Sequence, residues 1–384
     1  MKKKLIRVTT IPLSLEKLLG GQMSFMKNYF EVTAVSSDKK KLEEVGDKEK
    51  VSVFYLDLTR KITILKDLKA VFNFYKFLKK EKPFIVHSHT PKAGLVSMLA
   101  SKLAGVPNRL HTVAGLPLLE ATGFKRIILN KVEWLTYKCA TKVYPNSFEL
   151  KKIISKENLA KEKKLKVIGY GSSNGINLEY FNPNKFLNKD ITSKKTKLNI
   201  KQEDFVYIFV GRIVKDKGIN ELVESFITIN KKYNNTKLLL VGPFENDLDP
   251  ISDKNQKEIK QNPNIIEVGY VEDVRPYFLM ANVLVFPSYR EGFPNVVMQA
   301  GAMGLPSIVS DINGCNEIIK NNINGIIVPV KNNTILQQSM EKLLLEKGLY
   351  LKLKENARVQ IESKYDQKFI WNEILEEYKN LDNV

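Results

Sequence analysis

Few side chains here can hold a metal through sulfur or imidazole: two cysteines, Cys139 and Cys315, and three histidines, His87, His89 and His111, serve 384 residues. The cysteines stand far apart and beside no histidine cluster, which argues against a disulfide framework and a zinc site and for a reduced compartment. His87 and His89 would share one side of a strand, but no cysteine or acid accompanies them, and the pair reads as structural. No apolar run approaches the ~20 residues of a membrane span, and the basic residues 1–7 lack the apolar segment a secretory leader needs next. A phosphate-cradling P-loop, a G-x-G-x-x-G fingerprint, a Ser-His-Asp order and internal repeats are also missing. The triplet Asp247-Leu248-Asp249 is of a kind that can hold a divalent ion, but it follows Gly242 and Pro243 among polar residues and reads as loop acids; no metal or other cofactor is expected.

What is present is enough apolar sequence for two cores. A chain of this length exceeds what one core supports, so two domains are expected, at 1–182 and 204–365, joined by a polar linker at 183–203. Charge divides the chain in the same place. Residues 1–190 hold 36 Lys+Arg against 17 Asp+Glu, whereas the remainder holds 25 of each. The first domain therefore faces a polyanion, either anionic lipid or nucleic acid; no groove-reading nucleic-acid module is recognisable.

Short apolar strands are expected at 5–9, 32–35, 51–56, 84–87, 109–113, 142–145 and 165–168, then at 205–210, 238–241, 265–268, 283–286, 307–309 and 326–328, with helical stretches between most of them. That alternation is an α/β pattern: two doubly wound parallel sheets, each covered by helices on both faces, binding ligands outside the strands' carboxyl ends. Two helices of the first half carry lysine stripes. Lys66, Lys69, Lys76 and Lys80 line one, with Val71, Phe72, Tyr75 and Leu78 free to turn inward; Ile127, Lys131, Trp134, Lys138 and Lys142 line the other. Lysines beside a tryptophan suit a lipid headgroup interface, and equally an ordinary solvated face. The segment 366–384 reads as a terminal helix with Asp366 as its cap and Phe369, Ile370, Ile374, Leu375 and Tyr378 on an apolar face that could pack on either domain.

The stretch SYREGFPNVVMQAGAMG at 288–304 breaks out of a strand, presents Glu291 beside a glycine, and enters a small-residue helix at about 295–303. Free N–H groups at such a helix start favour an anionic or polyhydroxyl ligand, and the carboxylate can accept two sugar hydroxyls. Arg212 and Lys217, between Gly211 and Gly218 after another strand, offer a planar fork and a point charge, which together can clamp a diphosphate. The Gly20-Gly21 pair precedes a further helix, where it either lets backbone approach a phosphate or makes an ordinary turn. His89, His111 and the 169–175 loop, which includes Asn174, are placed near one mouth of the first sheet.

Taken in order, HSHTPKAGLVSMLASKLAGVP (87–107), HTVAGLP (111–117), GSSNGINLEYFNP (171–183), VGRIVKDKGI (210–219), LLLVGP (238–243) and FPSYREGFPNVVMQAGAMGLPSIVSDINGCNEII (286–319) resemble the retaining glycosyltransferases of family 4, in the capsular-polysaccharide and lipid-linked-oligosaccharide branch. The resemblance implies the GT-B fold, two Rossmann-like domains facing a cleft. It implies a nucleotide-sugar donor, UDP-linked in most of this branch, a lipid-linked glycan acceptor, and a peripheral place on the cytoplasmic face of an anionic membrane. Arg212 and Lys217 match the pair that grips the donor diphosphate and Glu291 the acid that touches the transferred sugar. Gly211, Gly292, Phe293, Asn295 and Val296 match the donor cradle, with Gly20 and Gly21 opposite and His89, His111 and Asn174 toward the acceptor. Two positions depart from the family. Gln299 replaces a second glutamate that holds the ribose, and Ala114 stands where many relatives carry a histidine. A nucleotide-sugar epimerase of the same fold, or a basic nucleic-acid-binding protein, are the other functions this sequence admits.

Overall fold

The structure, a computed structural model, describes residues 2–59, 63–116, 118, 121–245 and 249–383. The chain forms two compact units, 1–175 with 368–384, and 176–367. In the first, β1 (Lys4–Val8), α1 (Pro12–Leu19), α2 (Gln22–Met26), β2 (Glu31–Ser36), α3 (Lys39–Glu49), β3 (Ser52–Tyr55), α4 (Ile64–Glu81), β4 (Ile85–Ser88), α5 (Pro91–Ala104), β5 (Asn108–Val113), α6 (Gly123–Cys139), β6 (Lys142–Pro145) and α7 (Phe148–Lys156) follow one another. The six strands pair parallel in the order β3-β2-β1-β4-β5-β6. Alternate residues feed two cores: Leu5 and Ile85 lie in the layer of α1 to α3, while Ile6, Val8 and Val86 lie in that of α4 to α7.

The second unit runs α8 (Asn188–Lys197), β7 (Phe205–Val210), α9 (Ile219–Lys232), β8 (Thr236–Val241), α10 (Asp253–Gln261), β9 (Ile265–Gly269), α11 (Arg275–Met280), β10 (Val283–Phe286), α12 (Asn295–Ala302), β11 (Ser307–Ser310), α13 (Cys315–Ile318), β12 (Gly325–Val328), α14 (Asn333–Leu345) and α15 (Lys347–Tyr365). Its sheet is also parallel, in the order β12-β11-β10-β7-β8-β9. Near-continuous apolar strands such as Phe205–Val210 suit a sheet covered on both faces. Strand order reverses between β7 and β10, and the crevice at such a reversal is where open α/β sheets take their ligands.

Three expectations need correction, and one left open is resolved. Residues 165–168 form no strand: Leu165 makes a single bridge to Val143, and the chain then bends away through Gly169 at φ +54°. The stretch 183–203 is no free linker, because it carries α8 and buries Ile200, with Ile191 and Leu198 packed against the second core. The boundary falls at 175/176 instead, where the N–H of Ile176 donates to the Tyr365 carbonyl at 2.8 Å and the N–H of Gln367 donates back to Ile176 at 3.0 Å. The terminal helix α16 (Gln367–Lys379) enters the first core through Ile370, Ile374, Leu375 and Tyr378. On α4, Val71, Tyr75 and Leu78 turn to the core as expected, with Ala70 and Phe74, but Phe72 is exposed with the Lys76 ammonium 4.4 Å from its ring centre.

Candidate functional site

The loops that leave the carboxyl ends of β7 and β10 meet at the reversal of strand order in the second unit. After β7 the chain turns through Gly211, whose N–H donates to Val241 at 2.9 Å, and winds a single 3-10 turn at Lys215–Lys217 before α9. Gly218 ends that turn at φ +70°, with its α-carbon so close to β10's exit that an added Cβ would lie 2.2 Å from the Pro287 carbonyl. Glycine alone allows this approach. The same closeness brings Lys217 to Glu291: the ammonium donates to Glu291 Oε1, and the two side chains keep 15% and 17% of their exposure.

The Glu291 loop is tied from several directions. The Ser288 hydroxyl lies 3.0 Å from Glu291 Oε1 and 3.0 Å from the Arg290 carbonyl, donating to one at a time. The Tyr289 N–H donates to the Asp216 carbonyl at 2.9 Å, the Tyr289 hydroxyl donates to Glu221 at 2.5 Å, and Arg290 pairs with Asp216 at 3.0 Å. The Asn313 amide donates to the carbonyls of Glu291 and Gly292, and Gly314, at φ +76°, leaves no room for a Cβ against the Gly292 oxygen at 2.5 Å. These ties fix the carboxylate before any ligand arrives, which is what electrostatic recognition requires.

Arg212 reaches toward the same acids. Its guanidinium pairs with Glu245 at 2.7 Å and also senses Asp216 and Glu291. Helix α12 begins at Asn295 after Pro294, without a side-chain cap, so its first N–H groups carry the partial positive charge of an open helix start. Asn295, Val296 and Gln299 sit half-buried on one face of α12, while Val297, Met298, Ala300 and Gly301 are buried. Phe293, matched to the cradle through its backbone, buries its side chain: the ring is 8% exposed, meets Tyr365 edge-on at 5.4 Å and anchors the loop in the core. Arg212, Lys217 and Glu291 are thus brought together, with Gly292 and the start of α12 beside them.

Chemically, this is a cation pair whose charges are held in check by the chain's own acids. An incoming diphosphate can take Lys217 from Glu291 and Arg212 from Glu245, freeing the Glu291 carboxylate to accept sugar hydroxyls. Of the Asp247-Leu248-Asp249 triplet, Asp249 accepts the Asp216 N–H at 2.7 Å and braces the Lys215–Lys217 turn; Asp247 and Leu248 lie outside the described residues.

The first unit treats its candidates differently. Gly21 does stand in a left-handed turn at φ +78°, but its N–H donates to Glu49 Oε1 at 2.7 Å, and Ser24 gives its N–H and hydroxyl to Glu49 Oε2 at 2.9 Å each. A carboxylate of the chain occupies the place expected for a phosphate, and the Trp371 ring lies where a Cβ on Gly21 would point. Asn174 is likewise engaged. Its Oδ1 accepts from Trp371 Nε1 at 2.6 Å and Gln22 Nε2 at 3.0 Å, and its Nδ2 donates to the Gly20 carbonyl at 3.1 Å. Both act as internal knots because α16 folds across them, which no local pattern announces.

The histidines are buried on β4 and β5 and in the turn after β4, His87 beside Tyr378 of α16 and His111 beneath Gly94 of α5 and Tyr137 of α6. His111 is 2% exposed, bonded to Ser88 at 2.8 Å, and burial holds its pKa down at about 4. His87 lies between the Tyr378 hydroxyl and Thr112 Oγ1, with burial and then the Arg7 charge pushing its pKa far below the ordinary value. His89 is 3% exposed, its ring 4.2 Å from that of His87, and neither ring nitrogen has a partner among the described residues. Burial, then His87, Arg7 and His111, keep it neutral. Arg7, fully enclosed, donates to Tyr378 and Gln22. His89 and His111 are thus both enclosed within the first unit.

Sequence reasoning passed over Ser288, Asp216, Arg290, Glu245 and Asn313. Asn313 and Gly314 stand in the quoted motif, where an Asn-Gly step signals a turn; Glu245 lies in an irregular segment with no distinguishing pattern.

Comparison with known proteins fits this geometry. Residues 190–360 match the family described as Glycosyl transferases group 1, and residues 21–147 match Glycosyl transferase 4-like. The capsular polysaccharide biosynthesis glycosyltransferase CapM of Staphylococcus aureus is 37% identical over 97% of this chain and 96% of its own length. The UDP-Gal:alpha-D-GlcNAc-diphosphoundecaprenol alpha-1,3-galactosyltransferase of Escherichia coli is 30% identical over 89% of each. Among solved structures, a glycosyltransferase from Rickettsia africae aligns with a TM-score of 0.82 at 21% identity over 99% of this chain and 98% of its own. HepE of Anabaena, in complex with UDP and glucose, aligns with a TM-score of 0.83 at 15% identity over 98% and 100%. At such identities the structures establish the fold, which is GT-B.

Proposed function

The chain belongs to the group 1 glycosyl transferases, and from that premise we propose that it moves a sugar from a UDP-sugar to a glycan linked through diphosphate to a polyprenyl lipid, with retention at the anomeric carbon. That it is a glycosyltransferase follows from the family. The observation that supports this mechanism is the Lys217–Glu291 pair, held beside Arg212 and the uncapped start of α12.

In the reaction, the bond from the anomeric carbon to the leaving phosphate oxygen breaks and a bond to the acceptor oxygen forms on the same face. The acceptor's proton passes to that leaving oxygen, yielding nucleoside diphosphate and a glycan longer by one sugar. Arg212 and Lys217 stabilise the charge that grows on the diphosphate, more in the transition state than in the ground state. Glu291 orients the sugar, Gln299 accepts a ribose hydroxyl through its amide oxygen, and no metal takes part. The basic first unit takes the acceptor at the cytoplasmic face of an anionic membrane, as a peripheral protein. Among the described residues no helix is long and apolar enough to cross one.

The test is to incubate purified protein with several nucleotide-sugars and a diphosphopolyprenyl glycan, with and without a chelator, and to read nucleotide release and the anomeric configuration of the product. Release that depends on the lipid-linked acceptor, survives chelation and gives the retained anomer is expected. An inverted product, or isomerised nucleotide-sugar without transfer, refutes the reading.

A further inference from the structure

The second unit begins and ends at one seam. Its first residue, Ile176, forms a short parallel bridge with Asp366: the Tyr365 carbonyl accepts the Ile176 N–H, and the Gln367 N–H donates to the Ile176 carbonyl. The two places where the chain crosses between units, 175/176 and 367/368, both adjoin this pair of hydrogen bonds.

The side chain of Tyr365 turns from the seam to the loop that carries Glu291. Tyr365 ends α15, where Asp366 goes over to extended backbone at ψ 133°. Its side chain is 2% exposed and holds two partners at once. The ring meets Phe293 edge-on at 5.4 Å, and the hydroxyl donates to the Glu317 carbonyl of α13 at 3.2 Å. The second contact leads back to the same loop, because α13 follows directly on Asn313 and Gly314, and the Asn313 amide donates to the Glu291 and Gly292 carbonyls. A large ring with a polar tip suits such a double attachment.

The helix behind Tyr365 is seated on α12 as closely. A Cβ on Gly301 would lie 2.6 Å from Ile361. Arg358 donates to the Ala302 carbonyl at the end of α12, and to Phe181 at 2.8 Å and Leu178 at 3.3 Å on the segment that follows the seam. Seam, α15, α12 and the Glu291 loop thus make one continuous run of packed contacts. A close-packed interior passes strain along such a run.

We infer that Tyr365 is a positioning residue that couples the Glu291 loop to the seam. A nucleoside diphosphate that draws Lys217 from Glu291 confines the loop to one arrangement. Phe293 and α13 then hold Tyr365 more firmly, and the hydrogen bonds of Ile176 and Gln367 open less often. Coupling is reciprocal, so a loosened seam weakens the hold on the nucleotide by the same factor. The inference rests on reading this loop as the donor site and adds to it a residue that touches no ligand.

The experiment is deuterium exchange of the full chain with and without UDP, read by mass spectrometry. In wild type, UDP should slow exchange at 290–300 and also at 174–181 and 363–370, by more than it slows α10 of the same unit. Tyr365→Leu and, from the other side of the contact, Phe293→Leu should keep the slowing at 290–300, lose it at the seam, and bind UDP about fivefold or more weakly. Tyr365→Phe, which loses only the hydroxyl, should fall between wild type and Tyr365→Leu. Slowing at 290–300 with none at the seam overturns the proposal. So does slowing of equal size on α10, the mark of general stabilisation by a ligand, or a seam that responds in both leucine variants as in wild type. The wild-type comparison decides even if a leucine variant does not fold. No slowing at 290–300 counts against the donor reading itself, and the coupling falls with it.

Discussion

Removing Lys217 should reveal how the second unit holds the charges of its candidate site. In Lys217→Met the Glu291 carboxylate, with 17% of its exposure left, keeps the Ser288 hydroxyl but loses its ion-pair partner. Stranding a buried charge costs ~3–5 kcal/mol when burial is complete; the residual exposure puts this site at about 3 kcal/mol. Glu291→Gln should cost about the same from the other side. In the double variant neither charge is left over, so the two losses should fall short of their sum by about 1–3 kcal/mol. Both tryptophans, Trp134 and Trp371, belong to the first unit, so a urea titration followed by far-ultraviolet circular dichroism should show the shift while tryptophan fluorescence does not. Nucleotide release should fall by roughly 100- to 1,000-fold in each single variant, with the double no worse than the poorer single. Additive losses below about 1 kcal/mol each would mean that water screens the pair, and the argument for a preset donor site would fail with it.

Acid should destabilise the first unit. His111 is held near 4 against an ordinary 6.5, so the unfolded chain binds its proton first; stability is full above about pH 6.5 and is lost as pH falls toward 4, by about 3 kcal/mol from this residue. His111→Asn should shrink the fluorescence-detected loss between about pH 7.5 and 5 by about 2 kcal/mol. Glu49→Gln weakens the acceptor of Gly21 N–H and both Ser24 groups, and should lower the same transition by about 1–3 kcal/mol. Gly218→Ala, with its Cβ driven against the Pro287 carbonyl at φ +70°, should cost at least about 1–3 kcal/mol in circular dichroism and separate Lys217 from Glu291, lowering nucleotide release.

Much of the candidate site could be read from residues close together in the chain. Arg212, Lys217, Gly218 and the 288–304 stretch lie at strand ends, and a strand's carboxyl end in a doubly wound sheet is already a ligand position. Asn295, Val296 and Gln299, matched to the donor cradle by the family resemblance, share one half-buried face of α12 by helical spacing. The expected cradle on Gly20 and Gly21 was also locally reasonable, since a glycine turn before a helix has the same form whether a ligand or a side chain fills it. What fills it is Glu49, from the end of another helix.

The sequence by itself determined the alternation of strand and helix, hence two parallel sheets, the basic first half and the neutral second, and the residue types at the loops after β7 and β10. Apolar periodicity and charge are local properties and survive without a fold. Tertiary structure alone decided which groups remain available. Arg7 finds Tyr378 371 residues away, α16 covers the glycine turn and Asn174, three histidines sink into the first core, and Phe72 turns outward on α4. Each of these depends on a partner or a layer that no window of sequence contains, because burial belongs to the packed element and not to the residue.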